Sequence, residues 1–485
     1  MSAPPSLLDF ENRAAATAAW RAGLRAVRPE SNVVRALRQR PELLTPDAVS
    51  LVVAVGKAAA GMLRGALAVF SGAVVDGTGL DGTVLDGAVL DGAVLDDTGL
   101  AGFGRAGQRQ HFPRALVLLP EGADAGDLPS QVTLLRGGHP HPTEESFVAT
   151  RRILTAVDAL GDGQRLLVLL SGGTSALLEA PVAGLGAGDL VAAHRALVAS
   201  GLPIATINRV RGCLSAVKAG GLSARAWPGI VTTLALSDVE GDDPAVIGSG
   251  PTWTGERVRL GDDLLAALTE LALPPAVLRI LQDGRRPSGQ AFSHRQIPSD
   301  YAVVASIAEA REAAVAELRA RGFKGSCPAL GANAYLRGST EKVAQEIVAY
   351  VDQAVGAANS VAVAARAYVF GGEPTVAVTA DNPGRGGRNL DLAARLALAW
   401  RGRGGVAAVV AGTDGCDGSS TAAGAIVDGG TAARAEAAGY PMEAALAAFD
   451  TETALAAAGD LFVTGPTGTN VGDLVVVLVR ESAAP

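Results

Sequence analysis

Glycine-rich turns that follow apolar runs carry the side chains of this sequence most able to hold an anion or move a proton. Leu166 to Leu170 breaks into Ser171-Gly172-Gly173-Thr174-Ser175. Where a strand ends and a helix begins, backbone N–H groups are left unpaired; glycines let a phosphate or carboxylate come close to them, and hydroxyls such as Ser171 and Ser175 add donors. Leu234-Ala235-Leu236 likewise runs into Ser237-Asp238-Val239-Glu240-Gly241-Asp242-Asp243, and Val406 to Ala411 into Gly412-Thr413-Asp414-Gly415-Cys416-Asp417-Gly418. Leu461-Phe462-Val463 leads to Thr464-Gly465-Pro466-Thr467-Gly468-Thr469-Asn470. One such turn is an ordinary strand-to-helix connection. Several, bearing Asp, Ser, Thr and Asn, predict a polar site at the carboxyl edges of strands.

The charged residues sharpen this. Lys57 ends the strand Leu51 to Val55 and opens a helix, an unfavourable place for a cation by about 0.3–1 kcal/mol unless an anion sits beside it. Asn382-Pro383-Gly384-Arg385-Gly386-Gly387-Arg388-Asn389 sets two arginines among glycines ahead of a helix from Leu390 to Trp400. A guanidinium there can clamp phosphate or carboxylate through two parallel hydrogen bonds, the plainer reading being a solvent-facing basic turn. Gly371-Gly372-Glu373 offers a carboxylate for Mg²⁺, for positioning Arg388, or for a tight turn alone. Asn208, Arg211, Ser215 and Lys218 have the spacing of one helical face, which a solvated polar face explains nearly as well. Asp238, Asp242 and Asp243 include candidates for a general base or for hard-oxygen ligands of Mg²⁺, and Asp414 and Asp417 form a second acidic loop. His139 and His141 alternate along a Pro-rich segment and read as structural, as do Cys213 and Cys416.

These turns need a scaffold of alternating strands and helices. At 485 residues the chain is long enough for two to four domains, and 48% hydrophobic content with only 4% aromatics describes an Ala/Val/Leu/Gly interior suited to packed α/β layers. A net charge of −8 gives no electrostatic footprint for nucleic acid. Three scattered cysteines form no zinc or disulfide pattern and point to a reducing compartment. No apolar run reaches the ~20 residues of a membrane span. Asp9 and Glu11 stand where a secretory or organellar leader would avoid acids, so the cytoplasm is expected.

Residues 12–42 have helical spacing, and helices are also expected at 188–200 and 205–226. Strands are expected at 51–55, 115–119, 132–135, 166–170 and 230–236. From 75 to 107, Asp76, Asp81, Asp86, Asp91 and Asp96 recur in Leu-Asp-Gly units, a pattern of a low-complexity insertion rather than of a calcium array. Two GxGxxG matches, at Gly77 and Gly102, lie in or beside that repeat and neither follows a convincing strand, so neither is a dinucleotide fingerprint. No GxxxxGK[ST] loop occurs. Prolines between 274 and 298 mark a boundary, after which strands are expected at 301–305, 367–370, 375–379, 406–411 and 474–479. The pattern predicts an α/β protein of two doubly wound, mostly parallel domains, 1–298 and 299–485, with the site between them.

Taken in order, these segments resemble the class II glycerate kinases, the glycerate 2-kinase family whose C-terminal portion is called MOFRL. The resemblance runs nearly full length. It includes Gly56-Lys57-Ala58, His139-Pro140-His141-Pro142, Leu170 to Leu177, Ile207 to Arg211, Ser237-Asp238-Val239 and Ser249-Gly250-Pro251-Thr252, then Gly371-Gly372-Glu373, Gly384 to Asn389, Gly412 to Gly415 and Thr464 to Val471. It implies ATP- and Mg²⁺-dependent phosphorylation of D-glycerate at the 2-hydroxyl, by a monomer or homodimer with a larger Rossmann-like N-terminal domain, a smaller MOFRL-type domain and an interdomain cleft. Lys57 and Arg388 match basic residues assigned to catalysis, with Asp238 the candidate to orient or deprotonate the hydroxyl. Ser171, Gly172, Gly173, Ser175, Asn208 and Arg211 are then expected on substrate. Lys218, Gly386, Gly387, Thr413, Asp414, Thr467 and Asn470 are expected on nucleotide, and Asp242 and Glu373 near the metal. The chain departs from the family at Lys218-Ala219-Gly220 and Thr143-Glu144. A hydroxypyruvate reductase and a non-catalytic sugar-acid binder are the rival readings.

Overall fold

A computed structural model describes residues 7–45, 47–71, 89–90, 93–94, 112–253, 260–283, 299–330, 335–356, 365–378 and 384–480. Both GxGxxG matches, residues 379–383 and most of the Asp-Gly repeat lie outside these. Within the repeat, only Val89–Leu90 and Ala93–Val94 are described, and they pair antiparallel.

The chain divides into two compact units. One is Pro29–Val304; the other joins Met1–Arg28 to Ala305–Pro485. The strands, in chain order, are β1 (Leu51–Val55), β2 (Val89–Leu90), β3 (Ala93–Val94), β4 (Arg114–Pro120), β5 (Val132–Gly137), β6 (Arg165–Leu170), β7 (Ile230–Leu236), β8 (Ser299–Ala305), β9 (Lys324–Ser326), β10 (Arg366–Gly372), β11 (Val406–Gly412), β12 (Gly424–Asp428), β13 (Leu461–Phe462) and β14 (Asp473–Val479).

The first sheet has the order β5-β4-β1-β6-β7-β8. β1 runs parallel to β4 and β6, β4 to β5, and β6 to β7. Uninterrupted apolar strands such as Leu51–Val55 and Leu166–Leu170 are what a parallel sheet covered on both faces requires. Leu51, Val53 and Val55 pack with Ile153 and Val157 of the helix Glu144–Asp158, while the helix Ala59–Phe70 packs on β1, β4 and β6.

The second sheet has the order β13-β12-β11-β14-β10-β9, and it is mixed rather than mostly parallel: only β9 and β10 run parallel. β14 lies antiparallel between β10 and β11, and β11, β12 and β13 follow one another as antiparallel neighbours. The expected strand at 375–379 reduces to an isolated bridge from Thr375 to Ser339.

The domain expectation of 1–298 and 299–485 differs from the observed units at the N-terminus. Helix Leu7–Ala26 packs on the helix Ile307–Ala320 and on β11 and β14. Its Arg13 donates to Asp428 Oδ2 at 2.6 Å and to Asp460 Oδ1 at 2.7 Å, and Arg434 bonds the same two buried carboxylates. Asn12 Nδ2 donates to Gly405 O, and Trp20 stacks edge-on against Phe462. A helix buried through this many polar and apolar contacts belongs to the unit it touches, whatever its distance in sequence.

Candidate active site

In the Pro29–Val304 unit, β1 is the switch point: the chain leaves it toward β4 and β5 on one side and fills β6 and β7 on the other. Open parallel sheets bind ligands at the carboxyl ends of the two strands that flank such a point. Those ends are Gly56-Lys57 and Ser171-Gly172-Gly173, and they are bonded together. Lys57 N donates to Gly172 O at 2.9 Å, and Ser171 N to Val55 O at 3.0 Å. Gly56 is required by the approach, since a Cβ there would meet Ser171 Oγ at 2.2 Å. Gly173, at φ +89, precedes the short helix Thr174–Leu177; its bare Cα faces the His139 ring, 3.1 Å from a would-be Cβ, and the Lys57 stem at 3.6 Å. Lys57, Gly173 and His139 therefore share one spot.

The hydroxyls divide. Ser171 Oγ accepts from Ala58 N at 3.1 Å and lies 3.2 Å from Val55 O, and Thr174 Oγ1 lies 2.7 Å from Ser171 O. Both are buried. The role expected for the Ser171 hydroxyl as a ligand donor is thus replaced by a structural one. Ser175 Oγ instead meets Ser249 Oγ at 2.8 Å. Ser249 has φ +64 between Gly248 at +59 and Gly250 at +61, a left-handed run that costs a side-chain-bearing residue and needs enforcement. Ala219 N to Ser249 O and Gly220 N to Gly250 O, at 3.0 and 2.7 Å, supply it. Ser249 was not among the expected site residues; the signal was a serine flanked by glycines after the acidic loop.

The expected helical face of Asn208, Arg211, Ser215 and Lys218 is broken. The helix Ile204–Leu214 stops before Ser215, which is extended at ψ 135, and a new helix begins at Gly221. Asn208 and Arg211 stay on the helix. Lys218 turns inward, 1% exposed, and bonds Glu179, itself fully buried. Such a lysine cannot reach a nucleotide, which corrects its expected role. Glu179 and the nearby His194 were also missed; the legible trace was a glutamate closing the apolar run Ala176-Leu177-Leu178. Asp238 follows β7, partly buried. Asp242 sits at φ +53, and the phenol of Tyr301 is pushed up by burial and by the charges of Asp243 and Asp242.

In the other unit the register places Gly372, Asp473 and Gly412 side by side at one sheet edge. Arg388 opens the helix Arg388–Ala399 there. Its Nε donates to Asp473 Oδ2 at 2.6 Å and its Nη2 to Glu373 Oε1 at 2.9 Å; Nη1 makes no hydrogen bond among the described residues. Burial works against the guanidinium charge, but Asp473 and Glu373 outweigh it and hold the pKa above its ordinary value. Asn389 bridges Asp473 and Asp417, and Asp417 accepts the Asn389 and Leu390 N–H groups, capping the helix. Gly387 is needed because a Cβ would lie 2.5 Å from Asp417, and Gly386 exchanges hydrogen bonds with Ser419. Asp473 is the missed member of this group; Asp417, expected as part of an acidic loop, caps the helix instead.

Around them, Thr413 is buried with its hydroxyl on Gly472 O at 2.6 Å, and it accepts from Val471 N. Thr467 bonds Thr413 O; Asp414 O accepts Thr467 N, and Asn470 Oδ1 accepts Gly472 N. Thr413, Asp414, Thr467 and Asn470 are thereby brought together beside Asp473, with the Thr413 hydroxyl facing the protein. Among the described residues no group of three His, Cys, Asp or Glu side chains is arranged to hold a metal ion, and no helix is long and apolar enough to cross a membrane. A Mg²⁺ carried on a nucleotide needs only one or two carboxylates beside phosphate oxygens; Asp242 in one unit and Glu373 in the other are each a partly exposed carboxylate of that kind.

A domain of unknown function (DUF4147) matches residues 15–282, and the MOFRL family matches 366–473. An Agrobacterium vitis protein named “Putative hydroxypyruvate reductase” is 36% identical over 72% of this chain and 88% of its own. The D-glycerate 2-kinase of Thermotoga maritima is 35% identical over 71% of this chain and 80% of its own. The crystal structure of glycerate kinase from Thermotoga maritima superposes with a TM-score of 0.73 at 30% identity, covering 97% of this chain and all of that one. The chain belongs to the glycerate kinase family. Lys57, Gly172, Gly173 and Arg211 fall within the DUF4147 match, and Glu373, Arg388 and Asp473 within the MOFRL match, so each unit of this glycerate kinase family member carries its own polar group.

Proposed function

We propose that this protein transfers the terminal phosphoryl group of ATP to the 2-hydroxyl of D-glycerate, giving 2-phospho-D-glycerate and ADP. The observation that carries the reading is the junction of Lys57 with the Gly172–Gly173 turn at the sheet's switch point: a cation beside a glycine turn where a parallel sheet receives anions. Phosphoryl transfer depends mainly on alignment and on offsetting charge, so little else is asked of the chain.

In this scheme Arg211 and Asn208 bind the glycerate carboxylate, and the Ser175–Ser249 hydroxyl pair lies near the substrate. Asp238 orients the reacting hydroxyl and takes its proton as the oxygen attacks the γ-phosphorus. The bond from that phosphorus to the bridging oxygen breaks, and ADP leaves with the electron pair. Lys57 and Arg388 offset phosphate charge, Arg388 through the Nη1 that Asp473 and Glu373 leave open. Gly386, Gly387, Asp414, Thr467 and Asn470 contribute nucleotide contacts. Mg²⁺, when bound, neutralises phosphate oxygens, with Glu373 or Asp242 beside it. Cys213, Cys327 and Cys416 form no disulfide among the described residues, which suits a reducing, cytoplasmic setting.

Phosphorus NMR of the pure protein with D-glycerate, ATP and Mg²⁺ tests this. The expected result is a 2-phosphoglycerate resonance that Lys57→Ala abolishes in a folded protein. NADH oxidation on hydroxypyruvate with no phosphate ester formed would establish the reductase instead, and glycerate binding without ATP consumption would establish a sensor.

A further inference from the structure

We propose that Lys218 is a positioning residue: by occupying Glu179 it leaves the Arg211 guanidinium available to the carboxylate of the substrate. The inference rests on the D-glycerate reading above and adds what sets the charge around that carboxylate.

Glu179 lies just after the Gly172–Gly173 turn and is fully buried. Its Oε1 accepts Ala180 N at 3.0 Å; its Oε2 is bonded by Lys218 Nζ and stands 3.4 Å from His194 Nε2. Burial, with Lys218, Arg211 and His141 adding to it, pushes the His194 imidazole down to about 2, so this ring stays neutral. One carboxylate therefore faces both Lys218 and Arg211; burial lowers the pKa of each, and the charge of Glu179 works against that lowering. Arg211 lies within the field of Glu179, yet its side chain has no hydrogen bond or ion pair among the described residues, and its Nε is buried without a partner.

Backbone bonds hold the cations and the carboxylate in this relation. Ala216 N donates to Ala180 O at 2.8 Å and Val182 N to Leu214 O at 3.1 Å, so the helix that bears Asn208 and Arg211 ends against the segment that bears Glu179. The buried Arg211 Nε, with no partner among the described residues, is the incomplete part of this group, because a buried donor left unpaired is disfavoured. The missing partner is a small carboxylate. If Lys218 lost its charge, Glu179 would be left to offset Arg211 and would take the place of the substrate.

The test is D-glycerate affinity by calorimetry on the full chain, with KM and kcat alongside. Lys218→Met is expected to weaken D-glycerate binding and raise its KM about ten-fold or more while kcat stays within about three-fold. The double variant Glu179→Gln with Lys218→Met, which removes the competing carboxylate, should return binding to within about three-fold of the wild type. Unchanged binding in Lys218→Met overturns the proposal, as does a double variant as weak as the single one. Should Lys218→Met fail to fold, the double variant decides alone: wild-type binding supports the proposal and weak binding overturns it. Wild-type protein that binds D-glycerate without transferring phosphate removes the kinase reading and leaves this comparison intact.

Discussion

Arg388 grips Asp473 with both Nε and Nη2, at 2.6 and 3.2 Å, and Asp473 stands directly opposite Gly372 in the sheet. A side chain that begins a helix is thereby fixed by a carboxylate that begins a strand. Arg388→Lys keeps the charge but cannot make the fork, so kcat for phosphoryl transfer should fall about 10²–10³-fold with KM for D-glycerate within a few-fold of the wild type. Steady-state kinetics on the folded variant checks it.

Asp417 is buried, and desolvation outweighs the Leu390 and Asn389 N–H groups it accepts, raising its pKa to about 6. The folded chain therefore holds this proton more tightly than the unfolded one. The stability so contributed is fully present below the ordinary aspartate range and is lost as pH rises through about 6, a change of about 3 kcal/mol. Asp417→Asn removes the titration, so its thermal midpoint should vary less between about pH 4 and 7 than that of the wild type.

Gly173 occupies a backbone conformation that side chains resist, and a Cβ there would press on His139. Gly173→Ala should cost about 1–2 kcal/mol in urea unfolding. Because the strained turn also carries the backbone N–H groups proposed for the anion, kcat/KM should fall about ten-fold or more, beyond what the stability loss explains.

Arg13 shares the buried pair Asp428 and Asp460 with Arg434. Arg13→Ala leaves two carboxylates on one guanidinium and should destabilise by about 2–4 kcal/mol. Combined with Arg434→Ala, the loss should depart from the sum of the single changes, because both act on the same anions. Denaturant midpoints of the three variants check this.

The turns and strands around Lys57 and Gly173 were legible because β1 and β6 are uninterrupted apolar runs closed by glycine, and the parallel arrangement follows from that pattern. Which way a side chain points within such a turn was not. Ser171 and Ser175 read alike as hydroxyl donors, but the closeness of Gly56 forces Ser171 inward and only Ser175 reaches Ser249. Spacing alone put Lys218 on a face with Arg211; the helix ends at Leu214, and the charge of Glu179 draws the lysine into the core. The second sheet was misread in direction because β10, β11 and β14 are equally apolar whether parallel or antiparallel. Asp473 was overlooked because an aspartate opening a buried strand looks like a strand boundary until its arginine is seen.

The docking of helix Leu7–Ala26 among strands near the far end of the chain has a consequence for synthesis. Asn12 and Gly405 are 393 positions apart, so during translation this helix emerges long before β11 or β14 exists. Its apolar side meets these partners only after the entire Pro29–Val304 unit has been made, once β11 and β14 have left the ribosome.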